Sequence, residues 1–332
     1  MRALQQIGYG DPATAVRLVE LPDPVPGAGE VVIRMEAAAV HLADIKNFLG
    51  ERDFRAKTLP RIPGYEGVGR IVATGAGVSD FKTGDRVFPW WGAGTFAELV
   101  CTPAANVMPA PEGDAVQLSL MLVNGMTAVI LLEDFADLGP ADWVVQNGAN
   151  SNCGRYIVVL AKARGLRTCN IVRRPEVMAD LTALGADAVV LDDPDPAILA
   201  TRVAEATGGA PLKLGLDMVA GTATGRMARC VGSGGTVVNY GFISGEPCKI
   251  HFTEMFQKEV TLKGMSAGRG MAKRNRDDLR AIYTRLAAMI ADGRLKAAIA
   301  GTYTLDRAHE AFAHALKTGA ERDGKIVLLP NG

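Results

Sequence analysis

The chain has 332 residues, which is long for a single hydrophobic core, so two domains are expected. Its 36 basic residues balance its 36 acidic residues. This balance argues against a nucleic-acid partner, because such proteins bind through a basic surface. No apolar run reaches the roughly 18 residues that cross a bilayer, so no membrane partner is expected.

The amino-terminal stretch lacks the apolar core of a signal peptide. The five cysteines are scattered along the chain. An odd number of scattered cysteines is typical of free thiols in a reducing compartment rather than of a disulfide framework. The composition therefore predicts a cytoplasmic globular protein.

Roughly the first 115 residues contain short β patterns separated by turn signals rich in glycine and proline, which predicts a small barrel or sandwich. The predicted strands are 30–40, 67–75, 84–90 and 96–102. A change of pattern follows, with a helical segment over 115–135.

Strands then alternate with helices, from "WVVQ" (143–146) to "VTLKGM" (260–265). Such alternation predicts right-handed βαβ units and a parallel sheet. The fold class is therefore α/β, a doubly wound sheet with a second, β-rich domain.

A long polar helix over 273–293 and a tail with two further β patterns come last, and we expect the tail to return to the first domain. Residues 1–115 and 267–332 are assigned to the β-rich domain. Residues 116–266 are assigned to the doubly wound domain.

The turn after "WVVQ" lies where an open parallel sheet binds dinucleotides. A helix that begins there offers unpaired N–H groups and a positive dipole end to a pyrophosphate. Gly148 and Gly154 are kept, but Asn152 stands between them and the strict G-x-G-x-x-G pattern is absent. Because asparagine tolerates positive φ, we expect Asn152 to adopt a conformation usually assigned to glycine. Asn150 and Ser151 would add donors; the alternative is a polar loop without a ligand.

The next strand ends in Arg173 and Arg174. NAD-binding folds usually place an acidic residue there, on the ribose hydroxyls. Two arginines instead favour a 2′-phosphate and hence NADP(H), unless they are simply solvated. Tyr240, at the end of a later strand, is either a cofactor contact or a half-buried aromatic.

The stretch "GYEGVGRIVATGAGVSDFKTGDRVFP" (Gly64–Pro89) resembles the glycine-rich signature of medium-chain dehydrogenases/reductases. "VNGMTAVILLEDFADLGPADWVVQNGANS", "GLRTCNIVRRP" and "VTLKGM" resemble the mitochondrial-type 2-enoyl thioester reductases within that superfamily. The resemblance covers nearly the whole chain. It implies a GroES-like catalytic domain split around a Rossmann domain, and a homodimer formed through the edge of the Rossmann sheet.

The resemblance also implies which positions bind the cofactor, including a lysine near the carboxyl terminus and segments beside the nicotinamide. These positions are Asn124, Gly148, Asn150, Ser151, Asn152, Cys153, Arg173, Arg174, Tyr240, Gly241, Phe242, Ile243, Met265, Ser266, Ala267 and Lys325.

Zinc-dependent members of this superfamily place a cysteine at the position of His41 and a histidine at that of Tyr65. Tyrosine is a poor zinc ligand, and catalytic zinc needs about three protein ligands. The lobe with four structural cysteines is missing, since only Cys101 remains in that region. We therefore expect no metal, and we expect His41 to form hydrogen bonds near the substrate pocket.

The family's proton-donating tyrosine is also absent. Direct alignment places Arg52 there, and a shifted register places Asp53 or Phe54 there. An arginine stays protonated, so it could hold an oxyanion but would donate protons poorly. The family's tryptophan after the signature is replaced by Phe96.

The candidate catalytic residues are therefore His41, Arg52 and Tyr65. Trp90 and Trp91 either line the substrate pocket, stacking on a flat acceptor or an acyl chain, or pack at a domain interface. The sequence predicts an NADPH-dependent reductase of α,β-unsaturated carbonyls or enoyl thioesters. The alternatives are an NADPH:quinone oxidoreductase and an NADPH-binding protein without turnover.

Overall fold

The computed structural model describes residues 1–51, 55–317 and 319–332. The chain divides into two compact units. Unit 1 comprises Met1–Val123 and Arg276–Gly332, and unit 2 comprises Asn124–Asn275. Unit 2 contains most of residues 116–266, the span assigned to the doubly wound domain from the sequence.

The amino-terminal part of unit 1 is mostly β structure. Its strands are β1 (Arg2–Gln6), β2 (Val16–Glu20), β3 (Glu30–Val40), β4 (Gly67–Thr74), β5 (Arg86–Pro89), β6 (Leu99–Pro103) and β7 (Val107–Pro109). Its helices are α1 (Pro12–Ala15), α2 (Leu42–Leu49) and α3 (Ala115–Leu118).

Unit 2 alternates strands with helices, as predicted. Its strands are β8 (Trp143–Asn147), β9 (Arg167–Val172), β10 (Ala188–Leu191), β11 (Leu212–Asp217), β12 (Thr236–Asn239) and β13 (Thr261–Gly264). Its helices are α4 (Met126–Glu133), α5 (Asn152–Ala163), α6 (Met178–Leu184), α7 (Pro196–Thr207), α8 (Thr222–Cys230), α9 (Phe252–Phe256) and α10 (Ala267–Ala272). All neighbouring strands run parallel, in the order β10-β9-β8-β11-β12-β13. The order reverses beside β8, so the predicted doubly wound fold is confirmed.

The carboxyl-terminal part of unit 1 contains α11 (Arg276–Ala291), β14 (Ile299–Thr304), α12 (Ala308–Leu316) and β15 (Lys325–Leu329). The tail returns to the β-rich unit, because β15 pairs with β3. The larger sheet of unit 1 has the order β14-β15-β3-β4-β5-β7, and β6 also pairs with β3.

Strand β3 lies at the centre of unit 1 and contributes to two hydrophobic clusters. Val31, Ile33 and Met35 pack in one cluster, and Ala38 and Val40 in the other. Successive residues of a strand point to opposite faces, so the odd and even positions serve different clusters. The packing of Ala38 and Val40 fixes the end of β3 in the interior of unit 1. His41, the next residue, is therefore held in a defined position.

The helical segment predicted over 115–135 is interrupted. A π-helical turn, Met121–Gly125, separates α3 from α4. The Val123 N–H donates to a carboxylate oxygen of Glu66 at 2.7 Å instead of continuing a regular helix. The Ser119 hydroxyl also donates a hydrogen bond to the Val116 carbonyl oxygen. Contacts of this kind often bend helices.

All five cysteines are free thiols. Within the described ranges, no helix is both long enough and apolar enough to cross a bilayer.

Candidate functional site

The turn between β8 and α5 has the geometry of an anion-binding strand-turn-helix. Gly148 has a φ of +60°. Ser151 caps α5, and its hydroxyl accepts the Gly154 N–H at 3.1 Å. The amino end of α5 therefore lies at the carboxyl edge of the sheet, beside the point where strand order reverses.

The two glycines of this turn are required for different reasons. Gly148 needs the left-handed conformation, which side chains disfavour. Gly154 is helical, but a Cβ on it would lie 2.6 Å from the Ala149 carbonyl oxygen. Only glycine therefore lets α5 approach the turn this closely.

The expectation that Asn152 adopts a left-handed conformation is wrong. Asn152 is the first residue of α5 and is not among the residues with positive φ. The Asn152 side chain is buried. The residue of this turn that adopts the left-handed conformation is Gly148. The helix cap explains this result, because Ser151 supplies the cap and Asn152 enters the first turn.

Polar side chains that the sequence reasoning missed join the ends of three neighbouring strands. The Asn147 amide donates to Asp217 at 2.7 Å, and the Asn239 amide donates to Asp217 at 3.2 Å. Asn147 also accepts the Met218 N–H at 2.8 Å. These bonds fix the carboxyl ends of β8, β11 and β12 relative to one another.

Three of the predicted cofactor residues lie together in unit 2. The Cys153 sulfur is 3.8 Å from the Asn124 carbonyl oxygen. The Tyr240 ring is partly exposed, but its hydroxyl is enclosed and lies near Cys153. Burial raises the pKa of Tyr240 well above its usual range, and Cys153 and Asp217 raise it further. Tyr240 is therefore a neutral phenol at ordinary pH.

Arg173 and Arg174 directly follow β9, which neighbours β8 in the sheet. They therefore lie at the same edge as the turn after β8. Arg173 is exposed. Arg174 is half-buried, with its Nε 3.9 Å from a carboxylate oxygen of Glu176.

The segments predicted to flank the nicotinamide follow β12 and β13, which are also neighbours. Tyr240, Gly241, Phe242 and Ile243 come after β12, and Met265, Ser266 and Ala267 come after β13. The Met265 N–H donates to the Asn239 carbonyl at 2.9 Å, and Ser266 caps α10. A Cβ on Gly241 would lie 2.4 Å from the Met218 carbonyl oxygen. A side chain there would therefore force the Tyr240–Ile243 segment away from the end of β11.

A buried polar cluster in unit 1 contains His41, Glu66 and Lys325. His41 Nε2 lies 2.6 Å from Glu66 Oε1, and both side chains are almost fully buried. Lys325 Nζ lies 3.5 Å from His41 Nδ1 and is half-buried. Burial lowers the pKa of His41, and the Lys325 charge lowers it further, against the opposing effect of Glu66.

Asp44, in the first turn of α2, belongs to the same cluster. One of its carboxylate oxygens accepts the His41 backbone N–H at 2.9 Å. Burial raises its pKa from 3.8 to about 7, and Arg61 and Lys325 lower it only in part. The sequence reasoning missed both Asp44 and Glu66. For Glu66 the available signal was a carboxylate within the apolar, glycine-rich run that begins at Gly64.

Tyr65 and Trp91 form an aromatic pair, with ring centroids 5.1 Å apart and planes inclined by 47°. Both are half-buried, as is Trp90. Burial raises the pKa of Tyr65, and the nearby Asp44 raises it further. Phe96 is a core residue that packs against Phe312.

Arg52, with its alternatives Asp53 and Phe54, lies outside the described residues. Over the ranges that are described, no group of three or more His, Cys, Asp or Glu side chains is arranged to hold a metal ion. His41 is instead engaged by Glu66, and Tyr65 by Trp91.

Two known families match parts of the chain. The alcohol dehydrogenase GroES-like domain matches residues 27–112, and the zinc-binding dehydrogenase family matches residues 184–328. The mitochondrial enoyl-[acyl-carrier-protein] reductase of Mus musculus is 31% identical over 323 residues, which cover 96% of this chain and 86% of that protein.

Solved structures also match over the full length. A mycobacterial quinone oxidoreductase is 26% identical with a TM-score of 0.86, covering 99% of this chain and 100% of that chain. A mycobacterial structure complexed with NADPH is 26% identical with a TM-score of 0.84, again covering 99% and 100%.

Proposed function

We propose a function for this protein, which is an oxidoreductase and belongs to the mitochondrial enoyl-[acyl-carrier-protein] reductase family of medium-chain dehydrogenases/reductases. In this proposal it reduces α,β-unsaturated carbonyl compounds with NADPH and without zinc. The strand-turn-helix between β8 and α5 is the observation that carries this proposal. Enoyl thioesters are the substrate class suggested by the names of its relatives.

The residues of unit 2 fit a dinucleotide phosphate. The closely packed Gly154 and the left-handed Gly148 leave the backbone of the turn open to a ligand. The amino end of α5 would hold the pyrophosphate. Arg173 and Arg174 would bind a 2′-phosphate through charge-assisted hydrogen bonds. The NADPH complex of a 26% identical structure supports this choice of cofactor.

Bound NADPH would supply a hydride, and the protein would orient the acceptor and stabilise its charge. Hydride addition to the β-carbon moves the π electrons onto the carbonyl oxygen, and a proton from solvent then reaches the α-carbon. The negative oxygen needs a nearby donor or cation. In unit 1, Tyr65 is one half-buried group of the kind that could play this role.

A quinone acceptor is the second candidate, and the Tyr65–Trp91 pair favours it. Aromatic side chains stack well on flat acceptors. A 26% identical structure is also a quinone oxidoreductase. Steady-state assays with crotonyl thioester and with naphthoquinone would separate the two activities.

Binding without turnover is the third candidate, motivated by the missing tyrosine. Calorimetric titration with NADPH and NADH is the first test. If the protein bound neither NADPH nor NADH, all three candidate functions would be refuted. Binding of NADPH without oxidation by either acceptor would support the third candidate and refute the two enzymatic ones.

A homodimer in the cytoplasm completes the proposal. Strand β13 is at one edge of its sheet, and its four residues are exposed. Helix α9, which precedes β13 in the chain, carries three exposed apolar side chains, Phe252, Met255 and Phe256. We propose that a second copy covers the exposed edge of β13 and the apolar side chains of α9, since monomeric proteins seldom leave such surfaces open.

A further inference from the structure

Arg155 in α5 is a further arginine at the carboxyl edge of the unit 2 sheet, in addition to the two that follow β9. It directly follows Gly154, and its Nε donates to the Asn150 carbonyl oxygen in the turn after β8 at 3.3 Å. Its Nη2 lies 3.3 Å from Oδ2 of Asp180, which is in the first turn of α6. Because α6 follows β9, its first turn lies at the same edge. The Arg155 guanidinium therefore lies between the turn after β8 and the start of α6.

Both contacts of this guanidinium are weak. A hydrogen bond from N–H to oxygen is usually about 2.7–3.2 Å long, and each of these contacts is longer. The Asp180 side chain is 64% exposed, whereas that of Arg155 is 21% exposed. An ion pair with such a hydrated carboxylate contributes little free energy. Among the described contacts, this largely covered guanidinium therefore has no strong partner.

The segment between β9 and the first turn of α6 has no charge excess of its own. Arg173 and Arg174 are balanced by Glu176 and Asp180. Arg155 adds one positive charge, so the sum becomes positive. Each carboxylate already lies near one guanidinium, with Glu176 at 3.9 Å from Arg174 and Asp180 at 3.3 Å from Arg155. An anion that binds here must therefore compete with these carboxylates.

We propose that Arg155 exchanges partners when the cofactor binds: its guanidinium leaves Asp180 and binds the 2′-phosphate. This inference rests on the proposed function and adds a ligand for NADPH and a residue that opposes its binding. In the free protein Asp180 holds the guanidinium at the edge of the sheet, and it competes with the phosphate. The exchange is favourable because a charge-assisted bond to phosphate is stronger than an exposed ion pair. NADH lacks the 2′-phosphate, so the exchange favours NADPH.

The first test is calorimetric titration of the full chain with NADPH and with NADH. Arg155→Gln and Asp180→Asn remove the same ion pair from its two sides. We expect Arg155→Gln to weaken NADPH binding roughly 10-fold or more. We expect Asp180→Asn to tighten NADPH binding by about 2–5-fold, and neither variant to change NADH binding. If the pair only braced α5 against α6, both variants would weaken the binding of both cofactors, and the proposal would be overturned.

The double variant tests whether Asp180 acts through Arg155. A carboxylate that repelled the phosphate directly would also make Asp180→Asn tighten NADPH binding. In the exchange, however, Asp180→Asn should leave NADPH affinity unchanged once Arg155 is glutamine, because the competition for the guanidinium is gone. An equal tightening in the presence and absence of Arg155 overturns the exchange.

Arg167→Gln is the matched control for the lost positive charge. Arg167 is an exposed arginine of the same unit, and it is the first residue of β9, at the opposite edge of the sheet. Its guanidinium lies 5.8 Å from the centroid of the Trp143 ring. We expect this control to bind NADPH as the wild type does. Equal losses in Arg155→Gln and Arg167→Gln contradict a phosphate contact of Arg155.

Adenosine 2′,5′-bisphosphate and adenosine 5′-monophosphate separate this inference from the proposed function. They differ only in the 2′-phosphate and carry no nicotinamide. We expect Arg155→Gln to weaken binding of the bisphosphate and to leave binding of the monophosphate unchanged. A wild type that shows this dependence but reduces no acceptor supports the exchange and refutes the proposed reduction.

Two other outcomes count against the exchange. If the wild type reduces an acceptor with NADPH and Arg155→Gln binds NADPH and the bisphosphate equally tightly, the exchange is refuted and the proposed function stands. If the wild type binds neither NADPH nor the bisphosphate, both are refuted.

Discussion

The side-chain amide of Asn147 donates a 2.7 Å hydrogen bond to the carboxylate of Asp217, and this bond joins the ends of β8 and β11. Both side chains are buried. The same Asp217 oxygen accepts the Val219 and Ala220 N–H groups. The strand order reverses between β8 and β11, because the chain continues from β8 to β9 on one side and from β11 to β12 on the other. The bond therefore stabilises the edge of the sheet where the cofactor is proposed to bind.

Replacing Asn147 with alanine should lower the free energy of unfolding by about 1–3 kcal/mol, because it leaves the part-buried Met218 N–H without its acceptor. Urea denaturation measures this loss. The matched control is Asn106→Ala, since Asn106 is exposed and its side chain makes no described hydrogen bond. Equal stability of the two variants would contradict a structural role for the Asn147 amide.

The alternating pattern of unit 2 could be predicted because buried parallel strands are short apolar runs bounded by turns. The helix over 115–135 could not be predicted correctly. Its interruption follows from the Glu66 carboxylate taking the Val123 N–H, a contact between residues 57 positions apart. Periodicity within a segment carries no information about such a partner.

The candidate functional residues also divide into those that a local sequence pattern predicts and those that it does not. The turn after β8 is local, so its strand, glycines and helix start could be predicted from consecutive residues. His41 and Lys325 are 284 positions apart. Their contact depends on the register of β3 and β15, which no local pattern specifies.

Gly154→Ala should weaken both folding and NADPH binding. The new Cβ would lie 2.6 Å from the Ala149 carbonyl oxygen, and backbone atoms cannot move aside as a flexible side chain can. Overpacking of this kind costs about 1–3 kcal/mol. The control is Gly8→Ala in unit 1, where nothing lies within 4 Å of the added Cβ and φ is not positive. Thermal unfolding and calorimetric titration of both variants would decide, and a Gly154→Ala protein that matches the control would refute close packing.

Asp44 should make the stability of the protein depend on pH. Its pKa is about 7 in the folded state against 3.8 for the ordinary carboxyl. A folded pKa above the unfolded value means that the folded state holds the proton longer, so stability is lost as pH rises from about 4 to about 7. The slope approaches 1.4 kcal/mol per pH unit for one such group.

Asp44→Asn removes this titration while keeping an acceptor for the His41 N–H. The unfolding free energy of the wild type minus that of the variant should therefore fall between pH 4 and pH 7 and level off above it. Urea denaturation across this range measures the difference. A difference that stays constant with pH would show that Asp44 is not titrating in the folded state within this window.

Arg173→Ala and Arg174→Ala should each weaken NADPH binding and leave NADH binding unchanged. A charge-assisted hydrogen bond to phosphate is worth about 1.5–3 kcal/mol, which corresponds to roughly 10–150-fold in Kd. Calorimetry with both cofactors measures the ratio. Arg17→Ala, at an exposed arginine of unit 1, is the control. An equal loss for NADPH and NADH would count against a 2′-phosphate contact.

The exposed apolar side chains of α9 predict where the proposed dimer is most easily disrupted. Phe256 is 80% exposed and Phe252 is 66% exposed, and both lie close in sequence to the edge strand β13. Phe256→Glu would place a carboxylate on the surface that a second copy must cover. Burying that charge in the dimer interface costs free energy, whereas in the monomer the charge stays hydrated. Light scattering after size-exclusion chromatography should give twice the chain mass for the wild type and a single chain mass for this variant. Ile198→Glu is the control, because Ile198 is an exposed apolar residue of α7 that packs near β10, at the opposite edge of the sheet. If both variants stay dimeric, or if Ile198→Glu alone dissociates the dimer, the contact does not lie at β13.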